Sequence, residues 1–465
     1  MSDKNIPTLE SKENLKRDLG LFTATAIGIS QMIGTGIYMA PQGLAEMSNP
    51  LASIIACLIT GLGTLLIALC FGRMGEKLPV SGSAIVYTNV AFGETASFIV
   101  GWSYWWSNLL GVPAIVTGTL AYGAYFIPGL SDNNLLVFIT GSAIIWLYTL
   151  LNYRGVKQAG TVNLIMTIIK LIPLAVFFVI AIIHFDSSNM HTVASPENSG
   201  LGVLPIAVGY LVWSFMGFEG SSINAGEVKD SKIVKKATIL TASTVMVIYI
   251  LFIILATGSM SQASLANSTS PVADIIAMST GAGWAGTFIA LGVFISGLAC
   301  AGAWVISSAR ITYSVGKLGI FPASLSKVHP AYKTPYKALI VDAIICTLIL
   351  AMNFSKGLVE AYNFLILMSS MASLVFYAFG VASEIMLLRR KDAHFNVLIF
   401  IKNSFLSMVA FGYAVYAIYA CGADYVMFGF IFILIGFPFY IYIKYKRGDI
   451  TEVRKAAGLP EEGSK

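Results

Sequence analysis

The chain has 465 residues, 57% of them hydrophobic and 11% charged, with a formal net charge of +6. Soluble domains carry about 25% charged residues, so this chain has too little charge to cover a water-soluble fold, and the lipid bilayer must be part of its solvent. Its basic residues sit in short segments between apolar runs, without interleaved aromatics, which excludes nucleic acid as a partner.

In chain order, the polar stretch from Met1 to Asp18 has no apolar h-region and no small-residue cleavage site, so no removable signal peptide is expected. Segment 1–19 reads as a cytoplasmic N-terminal segment. A transmembrane helix needs roughly 20 apolar residues. Spans are predicted near 20–41, 48–72, 96–128, 134–152, 162–184, 202–226, 237–259, 283–311, 338–354, 360–388, 399–421 and 424–444, twelve in all. A polar tail, 445–465, follows.

Charge tests the count. With the N-terminus in the cytoplasm, 27 of the 29 Lys and Arg residues fall on the inner side, as cytoplasmic loops require. The two others are Lys356, in a short outer loop, and Lys170, inside the fifth span. A miscounted helix would move every later loop to the wrong side. The outer segments carry Asp132, Asp186, Glu197, Asp274, Glu360 and Asp424. The expected location is therefore a cell membrane, plasma or inner, with both termini cytoplasmic.

Cys57, Cys70, Cys300, Cys346 and Cys421 lie within or beside apolar runs without metal-ligand spacing, and read as buried small hydrophobes. His184, His191, His329 and His394 are scattered. No metal, no cofactor and no catalytic dyad is expected, and the chain does not read as an enzyme.

Two spans carry glycines at mid-length: Gly28-Ile29-Ser30-Gln31-Met32-Ile33-Gly34-Thr35-Gly36-Ile37 in the first, and Trp213-Ser214-Phe215-Met216-Gly217-Phe218-Glu219-Gly220-Ser221-Ser222 in the sixth. Glycine costs a helix about 1 kcal/mol against alanine. Close helix packing through small residues is the plain alternative. Spans one and six, however, hold corresponding places in two five-helix halves, and matched interruptions point to a transporter site built on inverted repeats. An unwound turn frees N–H groups at the start of one half-helix and C=O groups at the end of another. These must find partners inside a membrane, and a zwitterionic amino acid supplies both.

From Leu19 to Lys446 the sequence resembles the amino acid–polyamine–organocation (APC) superfamily, in particular its basic amino acid and polyamine antiporter branch. The resemblance is carried by the "IGTGI" break, by "LPVSGSAIVY" (Leu78 to Tyr87), by "WSFMGFEGSS" (Trp213 to Ser222), and by "KLGIFPASLSKVH" (Lys317 to His329) followed by Thr334-Pro335. It implies an all-α membrane protein with twelve transmembrane helices. Residues 20–388 would form a ten-helix core of two inverted five-helix repeats, and 389–444 two additional helices. It implies that Gly34, Thr35 and Gly36 hold the substrate carboxylate, that carbonyls near Met32, Trp213 and Met216 receive its ammonium, and that Trp304 stacks on its side chain. Glu219 matches an acidic residue of that branch and is a candidate for proton coupling or gating; an ionisable group in a span is a functional candidate by default. Lys170 departs from the arginine–agmatine exchangers, which have an apolar residue there. It resembles proton-coupled permeases and exchangers of large neutral amino acids, whose lysine occupies the place of a sodium ion. The expected partners of Lys170 are a carbonyl near Gly28 and the hydroxyl of Ser307 or Ser308.

The leading reading is a secondary transporter that exchanges one amino acid for another, or for an amine, by alternating access. The alternative is a proton-coupled amino acid symporter. A channel would want a ring of like charges or a carbonyl-lined filter, and a membrane enzyme would want a nucleophile–base pair or metal ligands at depth; neither is present in the sequence. The expected partners are an amino acid or amine substrate, the lipid bilayer, and protons if Glu219 or Lys170 titrates. A homo-oligomer is left open.

Overall fold

The computed structural model describes residues 20–78, 82–130, 132–155, 159–220, 230–352, 357–388 and 397–448. The Ser221-Ser222 end of the sixth-span motif, positions 79–81 of the "LPVSGSAIVY" stretch, Lys229, Lys356 and Arg389 to Lys391 lie outside the described residues. The described residues form helices and connecting turns, with no strand among them.

The helices, in order, are α1 (Leu21–Met32), α2 (Thr35–Met47), α3 (Pro50–Lys77), α4 (Ser83–Phe92), α5 (Glu94–Gly123), α6 (Asn134–Arg154), α7 (Ala159–Ile183), α8 (Leu204–Ser214), α9 (Ser231–Ser259), α10 (Gln262–Ala266), α11 (Pro271–Thr280), α12 (Gly283–Lys317), α13 (Tyr336–Met352), α14 (Leu358–Leu388), α15 (Val397–Ala420) and α16 (Ala423–Arg447). Among the described residues, six helices are long and apolar enough to cross a membrane: Pro50–Lys77, Asn134–Arg154, Ser231–Ser259, Gly283–Lys317, Leu358–Leu387 and Ala423–Arg447. Shorter apolar helices accompany them.

Helix ends fall where the sequence supplies caps. The Asn49 side chain accepts the Ala52 N–H at 2.9 Å with Pro50 at the first helical position of α3. Asn133 caps α6, and Asp230 caps α9. The segment between α9 and α12, expected as a plain outer loop, contains the two short helices α10 and α11. Proline at the start of α11 and the left-handed Gly281 after it bound the second of these.

Burial sorts the helices into centre and rim. The apolar window of α14 is 89% buried against 22% for α16 and 17% for α6, so α14 is central and the other two are peripheral. α5 runs along both α14 and α12, and α9 runs along α3 and α1. On the rim, α6 turns Leu135, Ile139, Leu147 and Leu150 outward, and α16 turns out Phe430, Ile431, Leu434 and Ile435. Water would penalise so continuous an apolar face; hydrocarbon does not.

The first and sixth predicted spans are broken in the middle. α1 stops at Met32, Ile33 and Gly34 are extended, and α2 starts at Thr35. α8 stops at Ser214 and the backbone turns through Gly217, whose φ is +108°.

Candidate functional site

The two breaks face each other. A Cβ on Gly217 would stand 3.0 Å from the carbonyl carbon of Gln31 and 3.2 Å from the Met32 nitrogen. Glycine is therefore demanded twice at this position, by its left-handed backbone and by the approach of another backbone. Gly36 packs in the same way against Trp213, where a Cβ would lie 3.1 Å from the indole Cδ1. At Gly34 a Cβ would press on the Cys300 sulfur of α12 at 2.7 Å.

The first break is held open by side chains from two other helices. Lys170, buried on α7, donates from Nζ to the Ser30 carbonyl at 2.6 Å, to Ser30 Oγ at 3.0 Å and to the Ile33 carbonyl at 3.4 Å. The Tyr249 hydroxyl of α9 donates to the Met32 carbonyl at 2.7 Å. Three of the carbonyls freed where α1 ends therefore have partners, and each retains a second lone pair. On the opposite side of the break the first turn of α2 has no side-chain cap. Its N–H groups, with the helix dipole behind them, form an anion-binding end. The buried hydroxyls of Thr35 and Tyr362 lie beside it, close to one another, and among the described residues neither meets a partner at full hydrogen-bond geometry.

The second break is closed by its own acid. Glu219 accepts the Gly217 N–H at 3.0 Å through one oxygen and the Tyr104 hydroxyl of α5 at 2.9 Å through the other. Tyr104 is fixed in turn by stacking on Phe376 of α14, with centroids 4.0 Å apart and planes at 15°. Met216 accepts from the Ser373 hydroxyl of α14 through its sulfur, at 3.2 Å. Trp213 stacks on Trp304 with centroids 6.2 Å apart and planes at 29°. A small cavity of about 50 Å³, open at one end, lies beside this pair. Gln31, Tyr104, Asn108, Glu219, Trp304 and Ser307 are among its walls, and the exposed Arg310 stands at its edge.

Met32, Gly34, Thr35, Gly36, Trp213, Met216 and Trp304 thus converge, with Lys170 on one flank and Glu219 on the other. One expected partnership differs. Lys170 reaches the carbonyl of Ser30, two residues beyond Gly28, but takes its hydroxyl from Ser30 and not from Ser307 or Ser308. Both serines lie beyond Trp304 on α12: Ser307 faces the cavity, and Ser308 donates to Asp342 at 2.8 Å. The α12 residue that meets the break at Gly34 is Cys300.

Sequence reasoning passed over Asp342 and Glu384, both buried. Each is an acid inside an apolar run, the same signal that singled out Lys170. Glu384 pairs with Arg73 at 3.2 Å and accepts from Ser407 at 2.5 Å, tying α14 to α3 and α15. Tyr249 carried no such signal, since one tyrosine in an apolar helix looks like any other.

Comparison with known proteins gives the family. The chain is 28% identical over 474 residues to an arginine/ornithine antiporter of Lactococcus lactis, covering 96% of this chain and 93% of that protein. It is 28% identical over 442 residues to an arginine/agmatine antiporter of Chlamydia felis, covering 92% and 90%. It is 29% identical over 440 residues to an arginine/ornithine antiporter of Latilactobacillus sakei, covering 92% and 91%. The amino acid permease family model matches residues 19–444, from the start of the first apolar run to the end of the last, and the chain is a multi-pass membrane protein of the amino acid permease family.

Proposed function

We propose that this protein is an antiporter that exchanges an amino acid for another amino acid or for an amine, binding each at the junction of the two broken helices. The observation that carries the reading is the seat of Gly217 on the Gln31–Met32 backbone, which brings an uncapped helix start and a set of helix-end carbonyls into one place. A carboxylate matches the N–H groups of Thr35 and Gly36, and an ammonium matches the spare lone pairs near Met32, Trp213 and Met216. Trp304 presents an indole beside the cavity, a surface that attracts a cationic side chain. The relatives named for arginine, ornithine and agmatine support a cationic amino acid and its amine or amino acid product as the substrate pair.

The architecture that goes with this reading has twelve spans, of which 20–388 form two inverted five-helix repeats and 389–444 an added pair. Both termini, 1–19 and 445–465, are cytoplasmic. On that orientation the cavity edged by Arg310 opens inward. The outward end of α2 is closed by Glu46, which accepts from Gln42 at 2.8 Å and from Asn363 at 3.1 Å, while Tyr210 donates to Asn363 at 3.1 Å. Alternating access requires one end open and the other shut. Lys170 acts here as a fixed cation that pins α7 to the first break, and Glu219 as the acid that holds the second.

Proteoliposome counterflow tests the exchange. Labelled arginine should enter vesicles loaded with ornithine or agmatine and should not accumulate in empty ones. Accumulation in empty vesicles driven by a pH gradient would replace exchange with proton symport.

A further inference from the structure

Asp342 is a buried acid on α13 that plays no part in holding either break. Its carboxyl group accepts from three donors on two other helices. Trp105 Nε1 of α5 lies at 3.2 Å, Ser308 Oγ of α12 at 2.8 Å, and Thr312 Oγ1 of α12 at 2.9 Å from both oxygens. No basic side chain pairs with it among the described residues. One turn further along α13, the Cys346 thiol donates to the Leu109 carbonyl of α5 at 3.5 Å.

Each of these contacts lands next to a wall of the substrate cavity. Trp105 follows Tyr104, and Leu109 follows Asn108, the two α5 residues that line it. Ser308 follows Ser307 and lies four residues, about one turn, beyond Trp304 on α12. The cavity therefore has α5 and α12 as facing walls, and behind them α13 places one carboxyl group that both helices must satisfy. The two hydroxyls have their own helix carbonyls as a second choice, as Thr312 Oγ1 shows at 3.1 Å from the Ser308 carbonyl, but the Trp105 N–H has no other acceptor among the described residues, and a buried N–H that loses its acceptor is left without water.

We infer that Asp342 is a positioning residue for substrate recognition, setting the spacing between the Tyr104–Asn108 wall and the Trp304–Ser307 wall. It does not touch the substrate. The inference rests on the antiporter reading above. Removing the carboxyl with a side chain of similar bulk, Asp342→Leu, strands the Trp105 N–H and frees the Ser308 and Thr312 hydroxyls to bond to their own helix. The walls then lose their register, and affinity suffers while the conformational cycle does not. Asp342→Asn keeps an acceptor oxygen for Trp105, and its amide N–H groups meet hydroxyls that can turn to accept.

The test is the concentration dependence of arginine exchange in proteoliposomes, for wild-type protein and for both variants. Asp342→Leu should raise KM on the order of tenfold, the cost of one orphaned buried donor, with the saturated exchange rate within about twofold of wild type. Asp342→Asn should restore KM to near the wild-type value. Unchanged KM in Asp342→Leu, a loss confined to the saturated rate, or an Asp342→Asn variant as poor as Asp342→Leu would each overturn the role. Should Asp342→Leu fail to elute as a monodisperse protein, Ser308→Ala and Thr312→Val remove the donors singly, and a pair of unaltered KM values would overturn it equally. Wild-type protein that exchanges no arginine would overturn the antiporter reading and this role together, whereas wild-type exchange with unaltered variants overturns the role of Asp342 alone.

Discussion

At Gly217 a single missing side chain lets two backbones meet. A methyl group there would be forced against the Gln31 carbonyl carbon at 3.0 Å while the residue keeps φ at +108°. Strain of this kind costs about 1–3 kcal/mol. Gly217→Ala is expected to lower the melting temperature of the purified protein and to abolish exchange; an unchanged melting temperature and rate would show that the breaks do not press on each other. Trp304 makes a milder case. A cation over an indole face is worth about 0.5–2 kcal/mol depending on desolvation, so Trp304→Leu should weaken arginine binding several-fold without loss of expression, measured calorimetrically on purified protein. Wild-type affinity in that variant would make Trp304 a packing partner of Trp213 and nothing more. The residues of the breaks were legible in the sequence because glycine and charge inside an apolar run are rare enough to be noticed. Lys170 was found that way, yet its hydroxyl partner was placed on α12 when it lies on α1 itself. Spacing along a chain locates a side chain on a helix but not the neighbour it turns toward. Asp342 and Glu384 show the reverse error: the same signal was present, but the helix around Asp342 has no glycine and that around Glu384 only Gly380, so no break drew attention to either acid.

Two short elements that dock beside the site are α10 and α11, which the sequence presented as a loop between two spans. At five and ten residues they are too short to read as spans, and their place is decided by what they dock on. From α11, the Val272 N–H donates to the Tyr122 hydroxyl at 3.3 Å, and Tyr122 donates to the Tyr38 carbonyl at 2.7 Å. Tyr38 donates to the Lys170 carbonyl at 2.7 Å. Docking of α11 is thereby joined to the helix that holds the first break. Asp274, in the first turn of α11, accepts from the Ser268 hydroxyl. Burial pushes its carboxyl above the usual carboxylate range, and the Ser268 hydrogen bond opposes that only in part. A carboxyl raised in the docked state favours docking when protonated. Docking should therefore tighten as pH falls through the raised value and loosen as pH rises above it. Hydrogen-exchange protection across residues 261–281, taken relative to the intrinsic rate at each pH, should rise as the medium is acidified, and Asp274→Asn should remove that rise. Protection that falls on acidification in the wild type would reverse the sign.

For the whole molecule, composition alone placed the chain in a bilayer, because apolar fraction and charge are sums that no detail of folding alters. The all-helical character followed from the same physics, since a backbone in lipid must satisfy its own polar groups. The rim helices α6 and α16, with their outward leucines and phenylalanines, agree with it. Orientation is a separate matter, carried only by the distribution of lysine and arginine. A cysteine placed at Asn198 should be labelled by an impermeant maleimide in intact cells, and one at Lys235 only after permeabilisation. The opposite pattern would invert the assignment of both ends.

The claim on which the rest depends is that the start of α2 holds a carboxylate. Arginine carries one and agmatine does not, so the pair separates this contact from every other. Binding of both ligands to wild-type protein and to Thr35→Val, by calorimetry at one pH and ionic strength, isolates it. Loss of the hydroxyl should weaken arginine several-fold, the worth of about one hydrogen bond to a charged group, and leave agmatine unchanged. Equal loss for both ligands, or none for arginine, would contradict it.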